Sequence, residues 1–471
     1  MARAALIGLD LGTSGVKALV IALDGTQLGE ADHPHPVVSP EPGWAETAPM
    51  AWWEAAVSAV RAARKQAGEV EITGIGVDGQ MHGLVLTDAD ATPVRPALLW
   101  ADQRAEEVMG RWTQLSAPQR ARLANPLTPG MTGPLLRWVA EHEPESLHRS
   151  QWALLPKDWL RMRLTGRAVT DPSDASATLL WDMPEETWSQ PALEACGVGA
   201  QLLPPVAASA SCAGSLSEAA ATELGLPPGI SVATGTGDTP AAVLAGGLAP
   251  GQAQITVGSG AQIVVPVAEP TPAPGVHVYR TADDSGWYRM AAVQNAGLAL
   301  EWLTTLLAAT WDELYASVEY GRPGADGVTF VPHLTGERTP ILDASATGSL
   351  LGLRLGTDRA ALLRAGVEGV ALSLRHAATA LAGGLPDQVR LAGGGSHHPA
   401  FRRLLADVLN VELHPIRLRS ASALGAAILA ARAAGLDDPH VQPEHEAPVL
   451  PGERAAAYDE IFQNYLDSVR R

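Results

Sequence analysis

Two short glycine-rich turns, each following an apolar segment, constrain the fold of this chain more than any other feature. The first turn is Leu11-Gly12-Thr13-Ser14-Gly15 and the second is Val257-Gly258-Ser259-Gly260-Ala261. Apolar residues on both sides of each turn predict a pair of short strands. Self-similarity at a spacing of about 240 residues indicates duplicated domains and not a solenoid. The alternative is a chance similarity between glycine-rich turns.

The elements predicted around the first turn indicate an α/β fold. Residues 4–10, 16–23 and 71–77 predict strands, Asp24-Gly25 predicts a hairpin turn into a third strand from Thr26, and residues 49–67 predict a helix. The order is therefore strand, strand, strand, helix, strand. Later in the chain, residues 239–247 and 420–434 predict two helices dense in small residues, and residues 388–392 predict a strand that ends in Gly393-Gly394-Gly395.

A stretch rich in Pro, Ala and Ser marks the expected domain boundary. It covers residues 203–215 and 224–229, so we expect one domain over residues 1–229 and another over 230–452. The tail, about residues 453–471, predicts a helix. Its apolar side chains recur every three or four residues and must pack on a neighbouring surface; they are Tyr458, Ile461, Tyr465 and Val469.

Charge and cysteine content exclude several classes of protein. The formal net charge is −18 over 471 residues, without a basic stripe, so we expect no nucleic-acid partner. The two cysteines, Cys196 and Cys212, exclude a disulfide scaffold and favour a cytoplasmic location. The chain contains no apolar run of about 18 residues, so we expect no membrane partner.

The first motif with chemical potential is the segment from Asp10 to Lys17. A turn of small residues exposes backbone N–H groups and two hydroxyls, and such a turn can wrap a phosphate. Lys17 can supply a cation, and Asp10 can hold Mg²⁺ directly or through water. The alternative is an ordinary glycine-rich hairpin, and the pattern alone weighs the two equally. The Walker A spacing is absent.

The second motif, Gly235-Thr236-Gly237-Asp238-Thr239-Pro240, precedes one of the small-residue helices. Asp238 can act as a general base that accepts the proton of an attacking substrate hydroxyl. The alternative is an aspartate that caps the helix, and capping preference alone favours that alternative.

Further polar motifs offer groups suited to sugars and nucleotides. Gln80 and His82, in Gly79-Gln80-Met81-His82-Gly83, can pair with sugar hydroxyls; the alternative is a loop histidine without a ligand. For Asp102 with Arg104 the alternative is a surface ion pair, and for Lys157-Asp158 it is helix capping. Glycines 393–395 can let backbone approach a nucleotide, and residues 336–340, Gly-Glu-Arg-Thr-Pro, form a polar turn.

Taken in order along the chain, these motifs resemble those of the FGGY carbohydrate kinases. The resemblance runs from Ala4 to about Ala434 and is strongest to the members that phosphorylate xylulose. Its more specific parts are Gln80-Met81-His82 and the turn at 336–340, whereas the glycine runs are the least specific.

The resemblance implies two ribonuclease-H-like domains of the actin and hexokinase type that flank a central cleft. Sugar then binds mainly to the first domain and ATP mainly to the second, and the C-terminal helix packs back on the first. The implied base is Asp238, assisted by Lys17, and both Asp10 and Asp238 are associated with Mg²⁺. The other implied residues are Gln80, Met81, His82, Asp102, Arg104 and Thr239 for the sugar, and Thr13, Ser14, Gly258, Ser259, Gly260, Gly394 and Gly395 for the nucleotide.

Several positions depart from the pattern of the xylulose-phosphorylating members. Thr239 and Ala101 stand where asparagine is usual, and Asp78 stands where a small residue is usual. Losing amide groups near a sugar can change which hydroxyl pattern is accepted. We expect the protein to phosphorylate D-xylulose with ATP and Mg²⁺. The resemblance to the family also suggests a homodimer. One alternative is a kinase of the same family that acts on ribulose, a heptulose such as sedoheptulose, gluconate or glycerol. The Gln80-Met81-His82 segment disfavours glycerol. The other alternative is an actin-like protein that binds a nucleotide but transfers no phosphoryl group.

Overall fold

The computed structural model describes residues 3–470, and their strands form two separate seven-stranded sheets and four two-stranded ones. The first half of the chain carries these strands: β1 (Arg3–Leu11), β2 (Gly15–Ala22), β3 (Gln27–Pro34), β4 (Glu46–Thr47), β5 (Val70–Gly79), β6 (Val85–Thr87), β7 (Ala97–Leu98), β8 (Trp152–Leu154), β9 (Trp181–Asp182), β10 (Thr187–Trp188), β11 (Cys212–Ser215), β12 (Ser231–Ala233) and β13 (Thr236–Gly237). Its helices are α1 (Pro49–Ala67), α2 (Gly110–Thr113), α3 (Ala117–Leu123), α4 (Thr132–His142), α5 (Pro144–His148), α6 (Pro156–Thr165), α7 (Pro172–Ala175), α8 (Gln190–Cys196), α9 (Glu218–Leu224) and α10 (Asp238–Gly246).

The second half begins after α10. Its strands are β14 (Ala253–Val257), β15 (Ala261–Val267), β16 (His277–Arg280), β17 (Trp287–Val293), β18 (Thr329–Val331), β19 (Ser349–Leu351), β20 (Gln388–Ala392), β21 (Glu412–Arg417) and β22 (Glu444–His445). Its helices are α11 (Gly297–Leu306), α12 (Trp311–Tyr320), α13 (Arg359–Thr379), α14 (Pro399–Leu409), α15 (Ala421–Ala433) and α16 (Ala457–Val469). Among residues 3–470, no helix combines the length and apolar character needed to cross a membrane.

The two sheets repeat one pairing pattern around the glycine-rich turns. In the first sheet, β1 pairs antiparallel with β2 and parallel with β5. In the second sheet, β14 pairs antiparallel with β15 and parallel with β20. Each glycine-rich turn therefore lies between the two antiparallel strands, next to the end of the parallel neighbour. The predicted α/β fold with two duplicated domains is confirmed, and α1 has the bounds that its apolar periodicity predicts.

Helix α15 lies on the first sheet although it belongs to the second half of the sequence. A Cβ atom on Gly8 of β1 would lie 1.8 Å from the Ala423 carbonyl oxygen, and one on Gly76 of β5 would lie 1.8 Å from that of Ala426. Such distances are far below any real contact, so only glycine lets this helix approach the sheet so closely. The small residues of α15 are thus explained by packing.

The observed sheet membership corrects the expected boundary at residues 229/230. Strands β12 and β13 follow that boundary, yet both pair with β5 in the first sheet. The proline- and alanine-rich stretch before them includes β11 at the edge of the same sheet, not a linker. A composition shift cannot distinguish an edge strand from a linker, and the first unit extends at least to α10.

The C-terminal helix also differs from the expectation that it packs back on the first domain. The Tyr458 hydroxyl of α16 donates to Glu368 Oε1 at 2.9 Å and accepts from Arg364 Nη2 at 3.1 Å, and both partners lie on α13. Phe462 and Tyr465 are buried in the core of the second half. The apolar stripe is real, but its partner is the second half, and α15 is the helix that returns to the first sheet.

Candidate functional site

A cleft cavity of 510 Å³ lies between the two halves, at the ends of the strands that carry the glycine-rich turns. A larger cavity of 660 Å³ lies near Glu313 and Arg359, within the second half. None of the candidate sugar- or nucleotide-binding residues predicted from the sequence lines it. Residues lining the cleft cavity include Thr13, Gln80, Met81, His82, Trp100, Asp238 and Thr239 from the first half, and Gly258, Ser259, Gly260 and Arg338 from the second.

Both glycine-rich turns are closed by the same type of backbone hydrogen bond. Gly12 N donates to the Gly15 oxygen at 3.0 Å, and Gly258 N donates to the Gly260 oxygen at 2.8 Å. The Thr13 hydroxyl accepts a hydrogen bond from Trp100 Nε1 at 3.1 Å, whereas Ser14 is exposed. Small residues keep both turns open to a ligand in the cleft, which is the arrangement suited to phosphate groups.

The third glycine run lies beside the second turn. A Cβ on Gly393 would lie 2.3 Å from the Val257 carbonyl oxygen, and Gly393 also has a positive φ of 91°. Gly394 and Gly395 follow in a single 3₁₀ turn, Gly394–Ser396. The structure therefore places these glycines at the end of β14, beside the backbone of Val257 and next to Gly258.

Asp238 is the first residue of α10, and Gly237 occupies the N-cap position. Asp238 therefore does not occupy the N-cap position itself, although its carboxylate accepts from the next N–H group of the helix. Asp238 Oδ1 accepts hydrogen bonds from Thr239 N at 2.6 Å and from the Thr239 hydroxyl at 3.3 Å. Burial, with a further contribution from nearby Asp10, raises the pKa of Asp238 to about 6. At neutral pH this carboxylate is ionised and able to accept a proton.

Three carboxyl groups converge at the ends of parallel strands. Asp10 on β1 and Asp78 on β5 are register partners, and β13, which also pairs with β5, leads directly into Asp238. No N–H or O–H group of the described residues donates to either oxygen of the buried Asp78. The negative charges of Asp10 and Asp238 act on Asp78 here, so its carboxyl group has like charges beside it and no partner that stabilises its ionised form.

Burial favours the protonated form of Asp78. Burial and the neighbouring charges of Asp10 and Asp238 raise the pKa of Asp78 well above its ordinary value. Burial also raises the pKa of Asp10, while the nearby charge of Lys17 lowers it. Of the two carboxyl groups, Asp78 is therefore the one whose protonated form the fold favours more. Across the hairpin, Lys17 is the register partner of Asp10, and its Nζ lies 3.7 Å from Glu30 Oε1.

These carboxylates provide the test of whether Mg²⁺ suits the site. No group of three or more His, Cys, Asp or Glu side chains arranged to hold a metal occurs between residues 3 and 470. Mg²⁺ usually binds one or two protein carboxylates and completes its shell with water and substrate phosphates. Asp10 and Asp238, beside an open glycine-rich turn, supply that smaller set. The residues fit Mg²⁺ brought in with a nucleotide.

A buried ion cluster supports the turn that carries Asp238. Lys157 Nζ lies 2.7 Å from Asp171, 2.8 Å from Asp158 and 3.3 Å from Asp174. Ser173 links this cluster to the turn, because its hydroxyl lies 2.6 Å from that of Thr236 and accepts from Gly237 N at 3.3 Å. The lysine lies near the start of α6 as predicted, but its ammonium group binds buried carboxylates and is not a helix cap.

The Gln80-Met81-His82 segment reaches the cavity, as predicted. Gln80 N donates to the Leu11 oxygen at 2.8 Å, which ties this loop to the end of β1. His82 has a positive φ of 64°, a left-handed conformation that few non-glycine residues adopt. Its Nδ1 lies 2.7 Å from the Ala177 carbonyl oxygen.

The structure does not bring Asp102 and Arg104 to the cavity. Asp102 Oδ2 accepts from Ala45 N at 2.7 Å, and Arg104 donates to both Asp102 oxygens at 2.9 Å. The Arg104 guanidinium also stacks 3.6 Å above the Trp44 ring. Both side chains are buried, and the Arg104 guanidinium also contacts Glu46 Oε1 at 2.7 Å. These contacts give both residues a structural role, and their part in sugar binding stays a prediction.

Four site residues were not predicted from the sequence. Trp100 and Arg338 line the cavity, while His277 and Tyr279 lie buried on β16 behind it. Arg338 belongs to the polar turn that the sequence singled out, so a signal existed for it. No sequence signal pointed to His277 and Tyr279, because the hydrogen-bond partners of side chains on a strand depend on the tertiary fold.

Comparisons with known proteins agree with this architecture. The N-terminal domain pattern of the FGGY family of carbohydrate kinases matches residues 5–245, and its C-terminal domain pattern matches residues 253–434. The chain is 33% identical over 442 residues to a xylulose kinase of Bacillus subtilis, covering 91% of this chain and 88% of that protein. It is 32% identical over 435 residues to a xylulose kinase of Escherichia coli, covering 91% and 89%.

Solved structures show the same overall arrangement. A xyloylose kinase from Brucella ovis superposes with a TM-score of 0.90 at 36% identity, covering 98% of each chain. A gluconate kinase from Lactobacillus acidophilus superposes with a TM-score of 0.93 at 23% identity, covering 99% of this chain and 98% of that one. The second likeness, at low identity, concerns the fold alone.

Proposed function

The chain belongs to the FGGY family of carbohydrate kinases, and we propose that it transfers the γ-phosphoryl group of ATP to D-xylulose, giving D-xylulose 5-phosphate. One observation carries the proposal. Asp238, with its raised pKa of about 6, lines a single cavity with Gln80, Met81 and His82. Thr13 of the first glycine-rich turn and Gly258 to Gly260 of the second line the same cavity. A base, a polar surface for hydroxyls and two phosphate-binding turns are the parts that this reaction needs. The xylulose kinases among the relatives support the choice of sugar.

In this proposal Asp238 accepts the proton of the primary hydroxyl as that oxygen attacks the γ-phosphorus. A carboxylate does not deprotonate an alcohol in the ground state, so proton transfer accompanies attack. The two hydrogen bonds from Thr239 fix Oδ1 and leave Oδ2 as the proton acceptor. The position of Asp238 in the first turn of α10 directs it toward the cavity.

We assign the nucleotide phosphates to the two glycine-rich turns. Thr13, Ser14 and the backbone of Gly258 to Gly260 offer donors to the phosphate oxygens, and Lys17 adds a positive charge. Gly394 and Gly395 leave room for the adenosine beside Gly258. Asp10 and Asp238 would hold Mg²⁺, which neutralises phosphate charge when bound.

We assign the sugar to the first half of the molecule, at Gln80, Met81, His82 and Thr239. The Thr239 hydroxyl stands where the similar kinases have an amide, so it offers fewer hydrogen bonds to a sugar. Asp102 and Arg104 do not line the cavity, so we assign them no sugar contact in this proposal.

A second candidate substrate is a sugar acid such as gluconate. Arg338 lines the cavity, and its Nη2 donates to a neutral acceptor, His277 Nε2, at 3.0 Å. The neighbouring Glu337 carboxylate accepts from the backbone N–H groups of Gln294 and Arg338. The guanidinium charge is therefore available to a carboxylate ligand, which D-xylulose lacks.

The test is coupled ADP release with D-xylulose, D-ribulose, L-ribulose, sedoheptulose, gluconate and glycerol, with a reaction lacking sugar as control. We expect D-xylulose to give the highest kcat/KM. A preference for gluconate would support kinase activity but change the substrate, and it would indicate that Arg338 binds the carboxylate group of gluconate. ADP release that no sugar increases would contradict phosphoryl transfer to a sugar altogether.

A further inference from the structure

A chain of hydrogen bonds crosses the cleft from the second half to the sugar-facing loop of the first. Arg338 Nη2 lies 3.0 Å from His277 Nε2, and His277 Nδ1 lies 2.8 Å from the Tyr279 hydroxyl. The same hydroxyl lies 3.3 Å from His82 Nε2. The chain ends where His82 Nδ1 meets the Ala177 carbonyl oxygen at 2.7 Å.

The two ends of this chain determine the direction of every bond in it. A guanidinium only donates, so His277 Nε2 is an acceptor and the ring proton of His277 lies on Nδ1. That N–H donates to the Tyr279 oxygen, which leaves the Tyr279 proton to point at His82 Nε2. At the other end a carbonyl only accepts, so His82 carries its proton on Nδ1. One arrangement satisfies all the groups.

The fold holds this chain in place on both sides of the cleft. His277 and Tyr279 are fully buried on β16. Although β16 is an edge strand of the second sheet, Asn125 of the first half bonds to both the N–H and the carbonyl of Val278 at 2.9 Å. Arg280 N also donates to the Ser176 hydroxyl at 3.1 Å. The strand that carries the chain is thus fixed to the half that carries His82.

We propose that Arg338, His277 and Tyr279 are positioning residues that hold His82 as a hydrogen-bond acceptor toward the cleft, so that the sugar must present a hydroxyl donor to it. This inference rests on the proposed function for the identity of the ligand. The 3.3 Å bond from Tyr279 is the longest in the chain, and it is the one that a sugar hydroxyl would replace. A ketone oxygen or a fluorine atom, which cannot donate, would find no partner there.

Arg338 sets the direction although two residues separate it from His82. Without the guanidinium, His277 is free to carry its proton on Nε2, and the Tyr279 proton then turns to His277 Nδ1 at the shorter distance of 2.8 Å. The Tyr279 oxygen would then offer a lone pair to His82, which favours a protonated imidazole. The other charged group that acts on Tyr279 is Asp238, which both arrangements retain.

A substrate-free experiment tests the chain by nuclear magnetic resonance on protein labelled with ¹⁵N in histidine, with His82 assigned from the spectrum of His82→Gln. Burial holds the pKa of His82 at about 4 in the native chain. We expect Arg338→Met to raise it by about one unit or more, and Arg338→Lys, which keeps a donor, to raise it much less.

The Tyr279→Phe background separates the chain from the bare charge of Arg338. Loss of that charge alone raises the His82 pKa equally with or without the Tyr279 hydroxyl. Action through the chain requires the hydroxyl, so we expect Arg338→Met to raise the pKa less than half as much in Tyr279→Phe. Equal increases in the two backgrounds would overturn the proposal, as would a His82 proton on Nε2 in the native protein.

A substrate experiment tests the consequence for the sugar. Xylulose analogues carrying hydrogen or fluorine in place of the hydroxyl at C1, C3 or C4 are compared by KM, and His82→Gln identifies the position that contacts residue 82. At that position we expect the KM of the fluoro analogue to increase as much as that of the deoxy analogue, relative to xylulose. Recovery of most of the affinity by fluorine would mean that His82 donates, which contradicts the proposal. Failure of every sugar would refute the proposed function and leave the magnetic resonance result standing.

Discussion

Asp78 lies opposite Asp10 in the parallel pairing of β5 with β1, and its buried carboxyl group has no hydrogen-bond partner among residues 3–470. Because the pKa of Asp78 is raised well above its ordinary value of 3.8, the folded chain holds a proton that the unfolded chain releases as the pH rises above that value. Stability from this group therefore falls with increasing pH, by about 1.4 kcal/mol for each unit of pKa difference.

Asp78→Asn should remove part of that pH dependence. The amide is neutral at every pH and similar in size to the protonated acid. We expect the free energy of unfolding to fall less between about pH 5 and about pH 8 in the variant than in the native chain. Urea denaturation at several pH values measures the difference. Parallel curves for the two proteins would show that Asp78 is ionised in the fold.

Asp238→Asn should separate nucleotide binding from turnover. The amide keeps the shape of the side chain but cannot accept the hydroxyl proton, so we expect kcat to fall by ~10²-fold or more. Nucleotide affinity, measured by calorimetry without Mg²⁺, should change little. Thr239→Val is the comparison variant, because it removes a proposed sugar contact and one bond to the same carboxylate but leaves the base. Retention of full turnover by the asparagine variant would rule out the assigned base.

The pH dependence of turnover should report Asp238. The base acts only when ionised, and its pKa is raised to about 6 by burial and by Asp10. We therefore expect kcat/KM for the sugar to decrease about tenfold per unit as the pH falls below about 6 and to level off above it. Initial rates at saturating ATP measure the profile. A flat profile down to about pH 4.5 would contradict a base of this pKa.

Lys157→Met should destabilise the fold strongly. It leaves Asp158, Asp171 and Asp174 buried without the ammonium group that contacts all three. Removing one partner from a buried ion cluster typically costs about 3–5 kcal/mol. Thermal unfolding monitored by circular dichroism measures the loss. Lys65→Met, at an exposed position of α1, is the matched control and should lie within about 0.5 kcal/mol of the native chain.

Gly76→Ala should disturb the contact of α15 with the first sheet. The added Cβ would lie 1.8 Å from the Ala426 carbonyl oxygen, so the helix must shift, at a cost of about 1–3 kcal/mol. Gly110→Ala is the control, because a Cβ there meets no atom within 4 Å. Chemical denaturation compares the two, and equal stability of both variants would show that the helix is not held against β5.

The sequence predicted the elements whose signals are local. Helix α1 follows from its apolar periodicity, and the repeated turns follow from glycines placed between short apolar strands. Asp10 and Asp238 could be found because each lies where a strand gives way to a turn or helix. Backbone sterics and side-chain alternation determine such features over a few residues.

The errors concern features that depend on distant parts of the chain. Asp102 and Arg104 have the residue types of a ligand site, but only the tertiary structure places Ala45 N and Trp44 against them. The apolar stripe of α16 predicts that one face of the helix is buried. It does not predict which half of the molecule covers that face. His277 and Tyr279 gained their significance from a meeting of two halves of the chain.

The position of α15 has a consequence for biosynthesis. The helix covers β1 and β5, which leave the ribosome first, yet it is made only after most of the second half has been translated. Until then the nascent first sheet presents an uncovered face of glycine and apolar residues. We therefore expect neither half, expressed alone, to form a stable unit. The nascent chain would need chaperone protection of that face until residue 433 has emerged from the exit tunnel.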